Sequence, residues 1–360
     1  MYKEGGMRRE NIVQNETILS LRDLNVKFSL RGRVLHAIRG VSLDLYRGES
    51  LAIVGESGSG KTVLTKTFMG LLDNNGWVES AEILYGGKDL SKYRKEKEWL
   101  TIRGREIAMI LQDPMTSLNP LKTVGSQIEE ALRLHQNLAG PAVREKIHEL
   151  LSDVGIPEPE KRARQYPHQF SGGMRQRVVI AIAIACRPKI MVCDEPTTAL
   201  DVTIQAQILG LIKDLVRKYD LTCVYITHDL GVVANIADRI AVMYAGDIVE
   251  IGTCEEVFYS PQHPYTWALL SSLPQMGIKG EELFSIQGTP PNLFNEISGD
   301  AFAPRNPYAM KIDFTQRPPY FDVSPTHRVR SWLKDPRAPK AEPPRSLARI
   351  RREGGSLYEQ

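Results

Sequence analysis

Eight consecutive residues, Gly55-Glu56-Ser57-Gly58-Ser59-Gly60-Lys61-Thr62, have the types and spacing to hold a phosphorylated ligand. They fit the pattern G-x-x-x-x-G-K-[ST], in which glycines let backbone N–H groups converge on phosphate oxygens because no Cβ blocks the approach. In that chemistry Lys61 reaches the β- and γ-phosphates and Thr62 gives its hydroxyl to Mg²⁺. A second constellation is Asp194-Glu195, two carboxylates that close the apolar run Ile190-Met191-Val192-Cys193. An acidic strand end is common by itself. Behind a phosphate loop it gains meaning: Asp194 suits a Mg²⁺ shell, and Glu195 suits a general base that polarises an attacking water. A third is Phe170-Ser171-Gly172-Gly173-Met174-Arg175-Gln176-Arg177, a Ser-Gly-Gly step that opens an apolar helical run.

These groups need elements to carry them. Leu51-Ala52-Ile53-Val54 reads as a short buried strand running into the glycine loop, and Val63, Leu64, Thr67, Phe68, Leu71 and Leu72 recur behind it at helical spacing. Upstream, Leu24, Val26, Phe28 and Leu30 alternate with polar residues, Arg31-Gly32-Arg33 supplies a turn, and Val41, Leu43 and Leu45 alternate again. The spacing predicts two antiparallel strands. Between about 124 and 156 the strand signal gives way to two amphipathic helices, marked by Ile128, Ala131 and Leu132 and by Val143, Ile147, Leu150, Leu151 and Val154. Beyond Pro188, strands at Ile190 to Cys193, Thr222 to Ile226 and Ile240 to Tyr244 alternate with helical stretches such as 203–219. That alternation predicts an α/β fold with a largely parallel sheet.

The 360 residues, 42% of them hydrophobic, can bury one large domain plus an extension. A net charge of +3 is too small to imply nucleic acid as a partner. The first twenty residues lack an apolar core, so no secretory signal is expected, and the longest apolar run, Val178 to Cys186, falls far short of the roughly 20 residues that span a bilayer. Any membrane role therefore runs through a partner. Cys186, Cys193, Cys223 and Cys254 form no C-x-x-C pair and read as structural thiols.

Taken together, the phosphate loop and the Ser-Gly-Gly run resemble the ATP-binding cassette (ABC) family over roughly residues 17–252. The resemblance implies an ABC ATPase fold: a parallel-sheet phosphate-loop core, an antiparallel β subdomain, and a helical subdomain at about 113–187. It implies ATP and Mg²⁺ as cofactors. Gln112 matches the glutamine loop that touches Mg²⁺ or water, joining Thr62 and Asp194 as metal-shell residues. Ser171, Gly172 and Gly173 match the signature motif, whose helix N-terminus caps the γ-phosphate held by a second subunit. Ala199-Leu200-Asp201 resembles the aspartate loop, His228 the switch histidine, and Phe28 the aromatic that stacks on adenine. Because Ser171 caps a nucleotide outside its own chain, a dimer follows.

The remaining chain narrows the resemblance. Val257 to Thr266, with His263-Pro264-Tyr265 inside it, then Gln287 to Pro291 and Phe302-Ala303-Pro304-Arg305, are similar to the C-terminal extension of oligopeptide and dipeptide importers. This yields a segmentation into an N-terminal arm (1–16), an ATPase domain (17–252), an extension (253–335) and a flexible tail (336–360). From 328 to 352 nine basic residues face two acidic ones. Many relatives carry four cysteines for an iron–sulfur cluster here. The matching positions are Asp300, Asn306, Asp313 and Ser331, so no cluster is expected. The implied protein is a peripheral ATPase at the cytoplasmic face of the cell membrane, powering oligopeptide import. Its implied partners are a second, related ABC ATPase, two transmembrane permease subunits and, indirectly, an extracellular peptide-binding protein. Competing readings are the same importer with dipeptide or nickel cargo, and a soluble ABC ATPase outside transport.

Overall fold

Alternation in the sequence becomes a sheet wherever one face can be buried. In a computed structural model, which describes residues 16–136, 138, 140–198, 200–273, 286–344 and 347, strand β1 (Thr17–Leu30) buries Leu24, Val26 and Phe28. It pairs antiparallel with β2 (Arg33–Tyr46), which buries Val41, Leu43 and Leu45. Arg31 and Gly32, at φ 50° and 75°, make the tight turn between them. Leu30, expected to continue the buried row, is exposed at the turn. The expected arm up to residue 15, Ala199 and most of the tail beyond 344 lie outside the described residues.

The chain divides into two units. One comprises the described residues up to Tyr46, Leu51–Ser91 and everything from Thr227 onward; the other comprises Arg47–Ser50 and Lys92–Ile226. In the first, β3 (Ser50–Val54) leads into α1 (Lys61–Phe68). The apolar spacing predicts a helix reaching Leu72, but α1 stops at Phe68. Gly70 takes φ 62° and the Leu71 N–H returns to the Lys66 carbonyl at 2.9 Å, a left-handed C-terminal cap. Strand β4 (Gly76–Tyr85), which the alternation did not announce, and β5 (Lys88–Asp89) complete an antiparallel sheet of order β2-β1-β4-β5.

In the second unit α2 (Glu96–Trp99) precedes β6 (Ile107–Ile110), and the helical insert follows as α3 (Pro114–Ser117), α4 (Val124–Gln136), α5 (Pro141–Asp153) and α6 (Pro159–Arg162). Helix α7 (Gly172–Ile184), apolar on nearly every side, is an interior helix. Strand β7 (Ile190–Asp194), helix α8 (Val202–Tyr219) and β8 (Thr222–Thr227) come next. Strands β6, β7 and β8 run parallel, and β7 is buried along its whole length, as a strand covered on both faces must be. Cys193 and Cys223 lie on adjacent strands with Sγ atoms 3.8 Å apart, none of the four cysteines is in a disulfide, and burial pushes the Cys186 thiol up to about 11.

Returning to the first unit, α9 (Leu230–Val233) leads to β9 (Arg239–Tyr244), parallel to β3, and to β10 (Asp247–Thr253), antiparallel to β9. The C-terminal segment is built onto this edge. After α10 (Cys254–Tyr259) and α11 (Pro264–Ser271), the short strands β11 (Phe321–Asp322) and β12 (Arg328–Val329) extend the order to β11-β12-β10-β9-β3. Glu250, fully buried on β10, accepts from the backbone N–H of Gln262 and His263 and contacts His327 Nε2 at 2.7 Å.

The four positions matched above to expected cluster cysteines are all buried and all occupied with turn chemistry. Asp300 accepts from Phe302 N, Asn306 from Tyr308 N, Asp313 from Met310 N and Ser331 from Leu333 N, at 2.9, 3.0, 2.6 and 3.4 Å. Two carboxylates, a carboxamide and a hydroxyl, each committed to its own backbone, do not fit an iron–sulfur cluster, whose ligands are thiolates.

Candidate nucleotide-binding site

In the first unit, fully buried β3 delivers the chain to Gly55, which must be glycine: a Cβ there would stand 2.1 Å from the Met243 carbonyl oxygen on β9. Glu56 is half-buried, Ser57 and Gly58 form the exposed crest, and Ser59 turns inward. Gly60, at φ 102°, caps α1 without a side chain, so nothing from the cap competes for the first-turn N–H groups. Lys61 is 6% exposed, and its Nζ donates to the carbonyls of Gly55 and Glu56 at 2.8 and 2.9 Å. The ammonium is thus folded onto the loop's own backbone, within one side chain's swing of a bound anion. Ser59 Oγ is buried with no hydrogen-bond partner among the described residues, an orphaned donor of the kind a phosphate oxygen would satisfy. Thr62 lies in the first turn of α1.

Two further residues of this unit were expected at a nucleotide. Phe28 is 9% exposed, its ring set against Gly76, where a Cβ would meet it at 2.5 Å. His228 is exposed in the turn after β8, held by Asp229, whose backbone N–H donates to Thr227 Oγ1 at 3.0 Å and whose side chain caps α9.

In the second unit Asp194, 6% exposed, ends β7. Glu195 follows at φ 46°, a left-handed conformation uncommon outside glycine that ends the strand abruptly and re-aims the side chain. Its Oε2 accepts from Gln112 Nε2 at 2.9 Å and from Thr198 Oγ1 at 2.8 Å. Folding therefore unites two expected site residues separated by 83 positions, and adds Thr198, which the motif reading missed. Ser171 N-caps α7, its Oγ accepting from Met174 N at 3.3 Å. Gly172 and Gly173 open the helix. A Cβ on Gly173 would stand 2.8 Å from Ile204 Cγ2, so packing against α8 demands the glycine. Asp201 N-caps α8, accepting from Ile204 N at 3.0 Å.

The loop has a second set of contacts that the motif reading missed entirely. The Glu56 N–H donates to Tyr265 Oη at 2.8 Å, and its carboxylate takes a two-pronged pair from Arg305 at 2.7 and 3.0 Å. Both Tyr265 and Arg305 lie in segments recognisable in the sequence, but sequence separations of 209 and 249 residues gave no means of pairing them with Glu56.

A phosphate loop on a parallel strand, an acidic strand end carrying a glutamine-bound glutamate, and a serine-capped glycine helix together define an ATP-binding cassette. The family model for ABC transporters matches residues 38–198, and that for the oligopeptide/dipeptide transporter C-terminal region matches 249–312. The chain is 57% identical over 337 residues to the oligopeptide transport ATP-binding protein AmiE of Streptococcus pneumoniae, covering 94% of this chain and 95% of that one. It is 56% identical to the oligopeptide transport ATP-binding protein OppD of Bacillus subtilis (95% and 96% covered) and 54% identical to the dipeptide transport ATP-binding protein DppD of Lactococcus lactis (91% and 94%). Among solved structures, the ATP-binding cassette MJ0796, dimeric in a post-hydrolysis state with ADP and Pi, matches with a TM-score of 0.59 at 27% identity, covering 66% of this chain and 98% of that one. The chain belongs to the ABC transporter family, as an ATP-binding, ATP-hydrolysing subunit whose C-terminal region is that of the oligopeptide/dipeptide transporters.

Proposed function

We propose that this chain powers the import of oligopeptides across the cell membrane, as a peripheral ATPase on the cytoplasmic face. The observation that carries the reading is the union, in one chain, of the cassette with the oligopeptide/dipeptide C-terminal region, supported by relatives above 50% identity named for peptide transport. Among the described residues no helix is long and apolar enough to cross a membrane, so the transmembrane path belongs to partners: two permease subunits, with a peptide-binding protein outside. The segmentation into arm, ATPase domain, extension and tail is part of the same proposal.

In this reading the loop N–H groups from Gly58 to Thr62 and the Ser59 hydroxyl cradle the phosphates, while Lys61 leaves its carbonyl partners for the β- and γ-phosphoryl oxygens. Phe28 turns its ring to the adenine. Thr62, Gln112 and Asp194 would hold Mg²⁺, which when bound neutralises charge on the phosphates. Glu195 polarises the attacking water, its carboxylate aimed by Gln112 and Thr198. His228 donates to the γ-phosphate. Ser171, Gly172 and Gly173 present the first-turn N–H groups of α7 to ATP on a second, related ATPase, and Asp201 borders the same junction. ATP then joins the two subunits, and hydrolysis lets them part.

The test is affinity capture of Glu195→Gln protein with ATP from detergent-solubilised membranes. Co-recovery of two multi-spanning subunits, a second cassette and an oligopeptide-binding protein supports the proposal. A dipeptide- or nickel-binding protein in their place would change the cargo. Recovery of ribosomes, repair proteins or the chain alone would overturn the transport reading.

A further inference from the structure

The geometry of a phosphate loop explains Gly55, Gly60 and Lys61, but not why Glu56 is gripped from the far end of the chain. Helix α11 is started by His263, whose Nδ1 accepts from the Tyr265 N–H at 3.0 Å, with Pro264 in its first turn. This capping fixes Tyr265, which is fully buried and packs between Tyr244 and Phe302 at ring separations of 4.6 and 5.3 Å. Its hydroxyl reaches the loop, accepting the Glu56 N–H at 2.8 Å. Burial pushes the phenol up, so it stays neutral and brings no charge against the Glu56 carboxylate across the working pH range. Arg305 arrives independently, from the turn after Phe302. Its side chain is 4% exposed, it also donates to Tyr244 Oη and the Gln287 carbonyl, and its fork matches the Glu56 carboxylate.

We propose that Tyr265 and Arg305 are positioning residues for ATP binding, through which the C-terminal segment sets the shape of the phosphate loop. The inference rests on residues 55–62 being that loop. The route is short: the carbonyls that seat the Lys61 ammonium belong to Gly55 and Glu56, and the N–H and side chain of Glu56 are fixed by Tyr265 and Arg305. Removing either grip lets the Glu56 peptide rotate, which displaces the resting place of Lys61 and the run of N–H donors behind it. A pre-formed cradle becomes one that must be ordered by the ligand, and the ordering is taken from affinity.

The test uses the full chain, with Mg-ATP titrated in the Glu195→Gln background so that binding is separated from turnover, and with kcat and melting temperature measured for the same substitutions in chains that keep Glu195. Tyr265→Phe keeps the ring and deletes one acceptor; it is expected to weaken ATP binding roughly three- to tenfold with kcat within about twofold and melting nearly unchanged. Arg305→Ala is expected to weaken binding further, Arg305→Lys to recover part of the loss, and Glu56→Gln combined with Arg305→Ala to cost less than the two effects summed. Wild-type affinity in both Tyr265→Phe and Arg305→Ala would overturn the proposal. So would affinity losses that merely track falling melting temperature across the set, since the segment would then only hold the fold together. Failure of the Glu195→Gln parent itself to bind Mg-ATP would instead sink the assignment of the loop.

Discussion

At the scale of single residues, one of the described non-glycine residues held at positive φ, Glu195, falls where chemistry is expected. Glu195 is the informative case. A left-handed backbone at a non-glycine residue costs about 1 kcal/mol or more, and it is held by the Glu195 N–H donating to the Ile226 carbonyl at 2.9 Å while two donors fix the carboxylate. Glu195→Gln is expected to keep ATP affinity and lower kcat by about 10²- to 10³-fold, since in the proposed role the lost group acts only on the attacking water. Thr198→Val removes one of the two hydrogen bonds that aim the carboxylate; kcat should fall severalfold with the Kd for ATP unmoved. A shift in Kd instead of kcat, read by titration beside steady-state turnover, would remove Thr198 from that role.

At the scale of elements, the catalytic run is legible because each piece is local. The buried strand before Gly55, the helix opening at Ser171 and the acidic end of β7 are all set by contiguous residues, and each forms where the pattern put it. Strand β4 was illegible for the opposite reason. Its first half is mostly exposed, so it shows no clean alternation, and it exists because β1 offers it a pairing edge. Gly173 tests how tightly elements constrain a motif. Gly173→Ala would force a methyl against Ile204, an overpacking that costs about 1–3 kcal/mol and pushes α8 from α7. The single change should lower the melting temperature, and adding Ile204→Ala should restore at least half of the loss. No recovery in the double variant would mean that the glycine answers to something other than α8.

At the scale of the whole molecule, the C-terminal segment carries two buried groups tuned in opposite directions. Burial holds His263 down at about 4 despite nearby Glu250 and a hydrogen bond to the Arg330 backbone, both of which favour the charged ring; its folded pKa lies below the unfolded value, so stability is lost as pH falls from about 6.5 toward 4. Burial raises Asp300 to about 7, helped by Asp313 and Asp247 and opposed by Arg39; stability is therefore lost as pH rises from about 3.8 toward 7. The two trends oppose each other over most of the acidic range. Asp300→Asn keeps the oxygen that accepts from Phe302 N and removes the titration. The variant should match the wild type near pH 4, exceed it by about 2–4 kcal/mol near pH 8, and expose the rise in stability with pH due to His263. Melting curves across that range check this; equal stability of the two proteins at pH 8 would contradict it.

What the sequence by itself determined is the chemistry that needs only neighbours along the chain: the phosphate cradle, the acidic pair, the serine-capped helix and the family they announce. Backbone N–H donors, caps and strand ends are properties of contiguous residues, so their pattern survives without a fold. What only the tertiary structure decided is which distant groups bear on them. That Gln112 aims Glu195, that Ile204 forbids a side chain at Gly173, and that Tyr265 and Arg305 grip Glu56 are facts of packing between segments far apart in the chain. Contacts of this kind depend on where helices and strands come to rest, and no local periodicity encodes that.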